Sequence, residues 1–203
     1  MNQAGEGIPG YTCGTSEVAR SAVSPQELDM LKISAGFTQE DERYLQLAGT
    51  VLQGRTAQIV QHWRNGIIAS IPNLARHSRS PEGDAIPQYL ANSNRRFEQW
   101  ILDTCFRPYD QEWANYQQEI ALRHTSVKKN QTDAVRSTPH VPLRDIIGFM
   151  AVINETIKPY LGANGHPLDE VEMMHRAWCK SMQIQLALWA APYADGTLAP
   201  NEW

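Results

Sequence analysis

Too little cysteine is present, and it is too widely spaced, for a disulfide framework or a cysteine-bound structural metal. The three residues, Cys13, Cys105 and Cys179, are odd in number and read as reduced thiols of a cytoplasmic protein. Basic charge is also scarce. The net charge of −4 leaves no broad positive field, so no nucleic-acid partner is expected. No apolar run approaches the length of a membrane span, and no basic-then-apolar stretch opens the chain, so neither membrane insertion nor export is expected. Paired-histidine zinc spacing such as H-E-x-x-H is missing, as is a P-loop. No Ser or Cys sits in a recognisable nucleophile motif. Strand-like alternation is rare throughout.

What the sequence does contain is helical. After a Gly-, Ser- and Thr-rich stretch over residues 1–23, "SPQELDMLKISA" opens with Ser24 as N-cap, Pro25 at the first helical position and Glu27 completing a capping box. Thr38 and Asp41 repeat the device, and Tyr44, Leu47, Val51, Ile59 and Trp63 continue an apolar face that Pro72 ends. Gly54 and Gly66 loosen that stretch. Later segments place Leu90, Phe97, Ile101 and Cys105 on one face, and Ile146, Phe149, Ile153 and Ile157 on another. A last helix carries Val171, Met174, Trp178 and Met182 inward. The pattern predicts an all-α fold of seven or eight helices in one domain over residues 24–195, with a tail over 196–203.

Among six histidines, two share a face with apolar side chains. Trp113, Tyr116, Ile120 and His124 fall within a narrow sector at about 100° per residue. His175 lies among the apolar residues of the last helix. His62, His77, His140 and His166 occur in or near polar stretches, where solvent exposure is expected. Either inward imidazole could be an ordinary core residue satisfied by a carbonyl or a Tyr hydroxyl. Either could instead be the single protein ligand of a metal that brings its other ligands with it. Haem is such a group, needing one axial nitrogen and a slot of aliphatic and aromatic residues. The C-x-x-C-H of covalent haem attachment is absent.

Several long stretches, "IPGYTCG" (8–14), "RFEQWILDT" (96–104), "YDQEWANYQQEIALRH" (109–124), "KKNQTD" (128–133), "IKPYL" (157–161) and "ALWAAPY" (187–193), resemble the protoglobins, haem proteins of the globin superfamily, in order and spacing. The resemblance implies an enlarged globin-like fold, a 3-over-3 helical sandwich with an extra N-terminal helix and an irregular extension over residues 1–23 that helps cover the haem. It selects His124 as the proximal ligand to haem b and gives His175 no such role. His124 would bind iron through Nε2 while Nδ1 donates to a carbonyl one turn earlier. By the same resemblance Phe97 faces the distal side and Val141, Phe149 and Ile153 line the haem cavity. Val127 continues the apolar side beyond His124. Ordinary core packing would account equally well for these apolar residues.

The distal stretch departs from the family. Protoglobins typically carry Trp-Tyr-Gly there, whereas this chain reads "HWRNG". Placing Trp63 on the family's Trp requires one additional residue before Gly66; counting back from Gly66 puts Arg64 and Asn65 at the Trp and Tyr positions. Either way the phenol is gone. Asn65 is the expected distal polar group, with Arg64 expected to run to solvent. The resemblance implies reversible binding of O2, CO and NO at an open haem iron. Alternatives are a haem enzyme (peroxidase-like, NO-consuming, or carbene- or nitrene-transferring in an engineered pocket) and a haem-free helical interaction module. The chain stops soon after its last globin helix, so a sensor's transmitter domain is not expected. A homodimer through the two C-terminal helices is, because Trp178 and Trp189 exceed what one core can be assigned.

Overall fold

The computed structural model describes residues 7–194 together with 196, 198, 199 and 202; the first six residues of the extension and part of the tail lie outside them. Among the described residues the chain forms eight α-helices and no named strand. These are α1 (Pro25–Ser34), α2 (Gln39–Leu52), α3 (Thr56–Gln61), α4 (Pro72–Ala75), α5 (Pro87–Phe106), α6 (Gln111–Leu122), α7 (Leu143–Leu161) and α8 (Leu168–Ala194).

The starts of the helices follow the expected chemistry. Ser24 and Thr38 each form a complete capping box, with Glu27 and Asp41 respectively. Asp110 accepts from the Trp113 N–H at 3.0 Å and so caps α6. The continuous apolar face expected up to Pro72 is broken twice. A turn at Gln53–Arg55 separates α2 from α3, and α3 runs directly into a π-helical turn over His62–Ile67. Ile68 N–H there bonds back to both Arg64 and Trp63 carbonyls.

Helix α8 is the central pillar, packed against α2, α6 and α7, while α5 crosses α2 and α3. Close approach of α2 and α5 depends on Gly49, where a Cβ would lie 2.5 Å from Phe106 and 2.7 Å from Cys105. Trp63, Trp100, Trp113, Trp178 and Trp189 are all buried. Trp178 and Trp189 therefore belong to this chain's own core, and the sequence argument that they are surplus to it is corrected: α8 is covered on several sides, so it has room for more tryptophan than a one-sided helix. Several polar groups inside this core are paired along α8, although the buried Trp178 Nε1 has no partner among the described residues. Gln185 accepts from Trp100 Nε1 at 2.7 Å and donates to Thr104 Oγ1 at 3.1 Å, and Trp189 Nε1 donates to Gln117 at 2.9 Å. No helix among the described residues is long and apolar enough to cross a membrane.

The irregular N-terminal segment lies along α5 and α6. Tyr11 donates to Asp103 at 2.7 Å, Arg96 to the Pro9 carbonyl at 2.6 Å, and Ala19 N–H to Glu119 at 3.0 Å. Gly10 has φ +72°, and a Cβ there would meet Thr132 at 2.7 Å, so both conformation and space demand glycine. Glu202 in the tail is buried and accepts from Ser126 N–H at 3.0 Å.

Asp41 ties α2 to α8. It is buried and accepts from Lys180 Nζ at 2.9 Å with both oxygens, as well as from Thr38. Burial alone would raise its carboxyl, but the Lys180 and Thr38 bonds outweigh this and hold it below the usual carboxylate value. Lys180→Met should cost about 2 kcal/mol at pH 7, a fall in Tm of roughly 4–8 °C. A carboxyl depressed in the folded state stabilises above its unfolded pKa and loses that contribution as pH falls through the folded one. The gap between wild-type and Lys180→Met melting temperatures should therefore begin to narrow as pH falls below about 4 and close only beneath the depressed folded-state value; a gap that does not narrow with acidification would contradict the assignment.

Candidate functional site

The end of α6 is anchored before it reaches the cavity. Glu119 is buried and takes Arg123 at 3.0 Å and Lys128 at 2.7 Å. Its carboxyl, which burial would raise, is held down by the Lys128 bond and the Arg123 charge. His124 follows in a tight turn, its N–H bonded to Ala121 at 2.9 Å, and its carbonyl accepts the Val141 N–H at 2.7 Å. This brings the start of α7 beside the imidazole. Tyr193 of α8 closes the same corner by donating to the Val141 carbonyl at 2.8 Å.

His124 Nδ1 lies 2.8 Å from the Ile120 carbonyl, one turn earlier. A carbonyl can only accept, so Nδ1 carries the proton and Nε2 keeps its lone pair. Nε2 makes no hydrogen bond among the described residues. Burial pushes the imidazole down to about 4, the Ile120 bond opposing that shift, so the ring is neutral at physiological pH. Trp189 stacks beside it with ring centroids 5.9 Å apart and planes 25° from parallel.

The ring opens on a cavity of about 230 Å³. Of the residues expected here, His124, Phe97, Val141, Phe149 and Ile153 all line it, and Arg64 does too. Trp63 does not. It is fully buried behind Phe97, centroids 5.1 Å apart, and donates through Nε1 to Thr156 at 2.8 Å. Val127 is 45 % exposed and lies outside the cavity. It follows the end of α6, so the helical phase that carried the apolar stripe no longer applies to it. His175 is half-buried and satisfied by the backbone, its Nε2 donating to the Asn154 carbonyl at 2.7 Å.

The two polar distal candidates exchange places relative to expectation. Asn65 is exposed and absent from the cavity wall, whereas Arg64 turns inward, its guanidinium carbon 5.3 Å from the Phe97 ring centroid. The π-helical turn gives the reason. Bonding i to i+5 holds one residue more than an α-helical turn, which is the excess that placing Trp63 on the family's Trp requires. Each residue rotates a helix by about 100°, so the extra one swings Asn65 out and leaves Arg64 directly after Trp63, facing the cavity.

Sequence reasoning also missed the polar end of the cavity. His77, expected at the surface, is buried there because Asp145 (3.1 Å from Nε2) and Thr138 (2.8 Å from Nδ1) satisfy both ring nitrogens. Burial lowers its pKa although the Asp145 bond works against this. Lys129 is buried and donates only to the His77 carbonyl at 2.9 Å and Ser137 at 2.6 Å. Arg96 is paired with Asp133 at 2.5 Å. Thus, among the described residues, the basic side chains lining the cavity divide in two. Arg96, Arg123 and His77 have carboxylate partners, and Arg64 and Lys129 have none.

Among the described residues no group of three or more His, Cys, Asp or Glu side chains converges to hold a bare metal ion. A single free imidazole nitrogen, an apolar slot and an unpaired ammonium at its polar end fit a flat apolar cofactor that carries its own metal and acidic side chains, which is the chemistry of a haem. The family model described as Protoglobin matches residues 24–198. No curated protein matches the chain.

Burial pushes the Lys129 ammonium down to about 8, with the Arg64 charge adding to the effect. In the cofactor-free protein Lys129 therefore holds its proton in the unfolded chain and not in the folded one between about pH 8 and 10.5, so its own contribution to stability rises with pH across that window by about 3 kcal/mol. Buried thiols and phenols such as Cys105 and Tyr109, which burial raises, give the opposite slope and are common to wild type and variant. The urea midpoint of wild type should therefore climb over this range relative to that of Lys129→Met; parallel profiles would contradict an uncompensated buried ammonium.

Proposed function

Because this chain belongs to the protoglobin family, and so to the haem-binding globins, we propose that it holds haem b with His124 Nε2 on the iron and binds O2, CO and NO reversibly on the open side. One observation carries the reading: an imidazole whose Nδ1 proton is committed to the Ile120 carbonyl and whose Nε2 lone pair faces an apolar cavity. Bound haem supplies an iron with one coordination position left for a small gas ligand.

The chain's own residues do the rest. Ile120 and Trp189 set the orientation of the His124 ring, so Nε2 is aimed before the cofactor arrives. Phe97, Phe149, Ile153 and Val141 form apolar walls that exclude water from the porphyrin faces. Lys129 places an unpaired ammonium at the polar end, suited to a porphyrin carboxylate. The N-terminal segment to residue 23, held by Arg96 and Asp103, acts as a cover over a haem domain running from 24 to about 195. A peroxidase-like activity would call on an inward general base, and the histidine available, His77, has both ring nitrogens engaged. Free thiols at Cys13, Cys105 and Cys179 suit a reducing, cytoplasmic setting. A homodimer through α7 and α8 remains part of the proposal on family grounds alone.

Visible spectra of ferric, ferrous and CO-bound protein test the central reading, wild type beside His124→Ala. Wild type should show a strong Soret band that shifts with CO. His124→Ala should keep its helical circular dichroism and lose the histidine-bound ferrous spectrum, with free imidazole restoring it. Identical spectra for the two proteins would overturn the assignment. Light scattering of a strict monomer would remove the dimer.

A further inference from the structure

Arg64 is a cation without a counter-ion in an apolar setting. Its one hydrogen bond among the described residues goes from Nη2 to the Ser93 hydroxyl, and its Nε is buried with no partner at all. Of five N–H donors, most remain unused. The guanidinium rests against the Phe97 ring, and the carboxylates lining the same cavity are committed elsewhere: Asp133 to Arg96 and Asn92, Asp145 to His77 and Asn73. Desolvation lowers the Arg64 pKa, yet an arginine stays charged at physiological pH. A buried charge in this state is stabilised by whatever anion can reach it.

We propose that Arg64 makes the open side of this cavity a receptor for small inorganic anions, such as fluoride or nitrite, which bind the cofactor's iron while accepting a hydrogen bond from the guanidinium. This rests on the haem reading above and specifies the ligand class of that same site. Three features favour Arg64 for the role. It enters from the π-helical turn after α3, whereas His124 enters from the end of α6, so cation and axial ligand come from separate elements. Ser93 steadies one end of the guanidinium and leaves the other free. The Phe97 ring lies under it, and an arginine over an aromatic face keeps its donors while giving up little to solvent. A neutral diatomic such as CO gains far less than an anion from a full positive charge, so the residue discriminates between ligand classes more than it strengthens binding in general.

The test is the dissociation constant of sodium fluoride and of sodium nitrite for the ferric holoprotein. It is read from the Soret shift at fixed ionic strength, in wild type, Arg64→Lys and Arg64→Leu. Loss of a charge-assisted hydrogen bond predicts binding weakened roughly 10- to 100-fold in Arg64→Leu, with Arg64→Lys in between. CO affinity of the ferrous protein should change less than about threefold, and the rate of haem loss to an excess of apomyoglobin should be unchanged. Equal fluoride and nitrite affinities in wild type and Arg64→Leu, with normal Soret bands, would overturn the proposal. So would faster haem loss in Arg64→Leu without an anion effect, which would mark Arg64 as the partner of a porphyrin carboxylate. A wild-type protein that takes up no haem would instead defeat the haem reading, and this inference with it.

Discussion

The hydrogen bond from His124 Nδ1 to the Ile120 carbonyl, 2.8 Å long, governs how the rest of the site can be used. It sets the tautomer, and the tautomer decides that the free lone pair is the one directed into the cavity. Much of the surrounding architecture holds that bond in place. Glu119 clamps the last turn of α6 through Arg123 and Lys128, the Val141 N–H captures the His124 carbonyl, and Trp189 braces the ring from α8. Without these supports an imidazole just beyond a helix end could rotate and satisfy Nε2 elsewhere. With them, the nitrogen is left unsatisfied by the protein in an apolar space, a state that favours metal binding.

Charge is handled unevenly around the same cavity. Arg96 and Arg123 are neutralised by Asp133 and Glu119, and these pairs also tie down the N-terminal segment and the loop after α6. Arg64 and Lys129 are left uncompensated, and burial depresses both. Such groups destabilise an empty protein and become favourable when anionic partners arrive. The arrangement links cofactor and ligand binding to stability. The cofactor-free protein carries electrostatic strain that a bound porphyrin with two carboxylates, and then an anionic ligand, would relieve.

Much of the fold could be read locally, because capping boxes and apolar periodicity are short-range signals. Ser24–Glu27 and Thr38–Asp41 marked two helix starts, and the stripe Trp113, Tyr116, Ile120, His124 marked one of two inward histidines. The failures share a cause: the deciding partner lies far along the chain or the helical phase shifts. His77 looks exposed in "RHSRS", and only Thr138 and Asp145, more than sixty residues away, make its burial tolerable. Arg64 and Asn65 cannot be sorted into inside and outside without the π-helical turn that changes the phase by one residue. Val127 continues a periodicity whose helix has already ended. The resemblance of "EIALRH" to a family motif chose between His124 and His175, which local patterning had left equal.

The most direct test of the account is a crystal structure of the haem-reconstituted protein, with the iron located by its anomalous scattering. The account predicts a single iron peak within bonding distance of His124 Nε2, with Nδ1 still donating to the Ile120 carbonyl. Iron bound through another residue, or a haem seated away from His124, would contradict it.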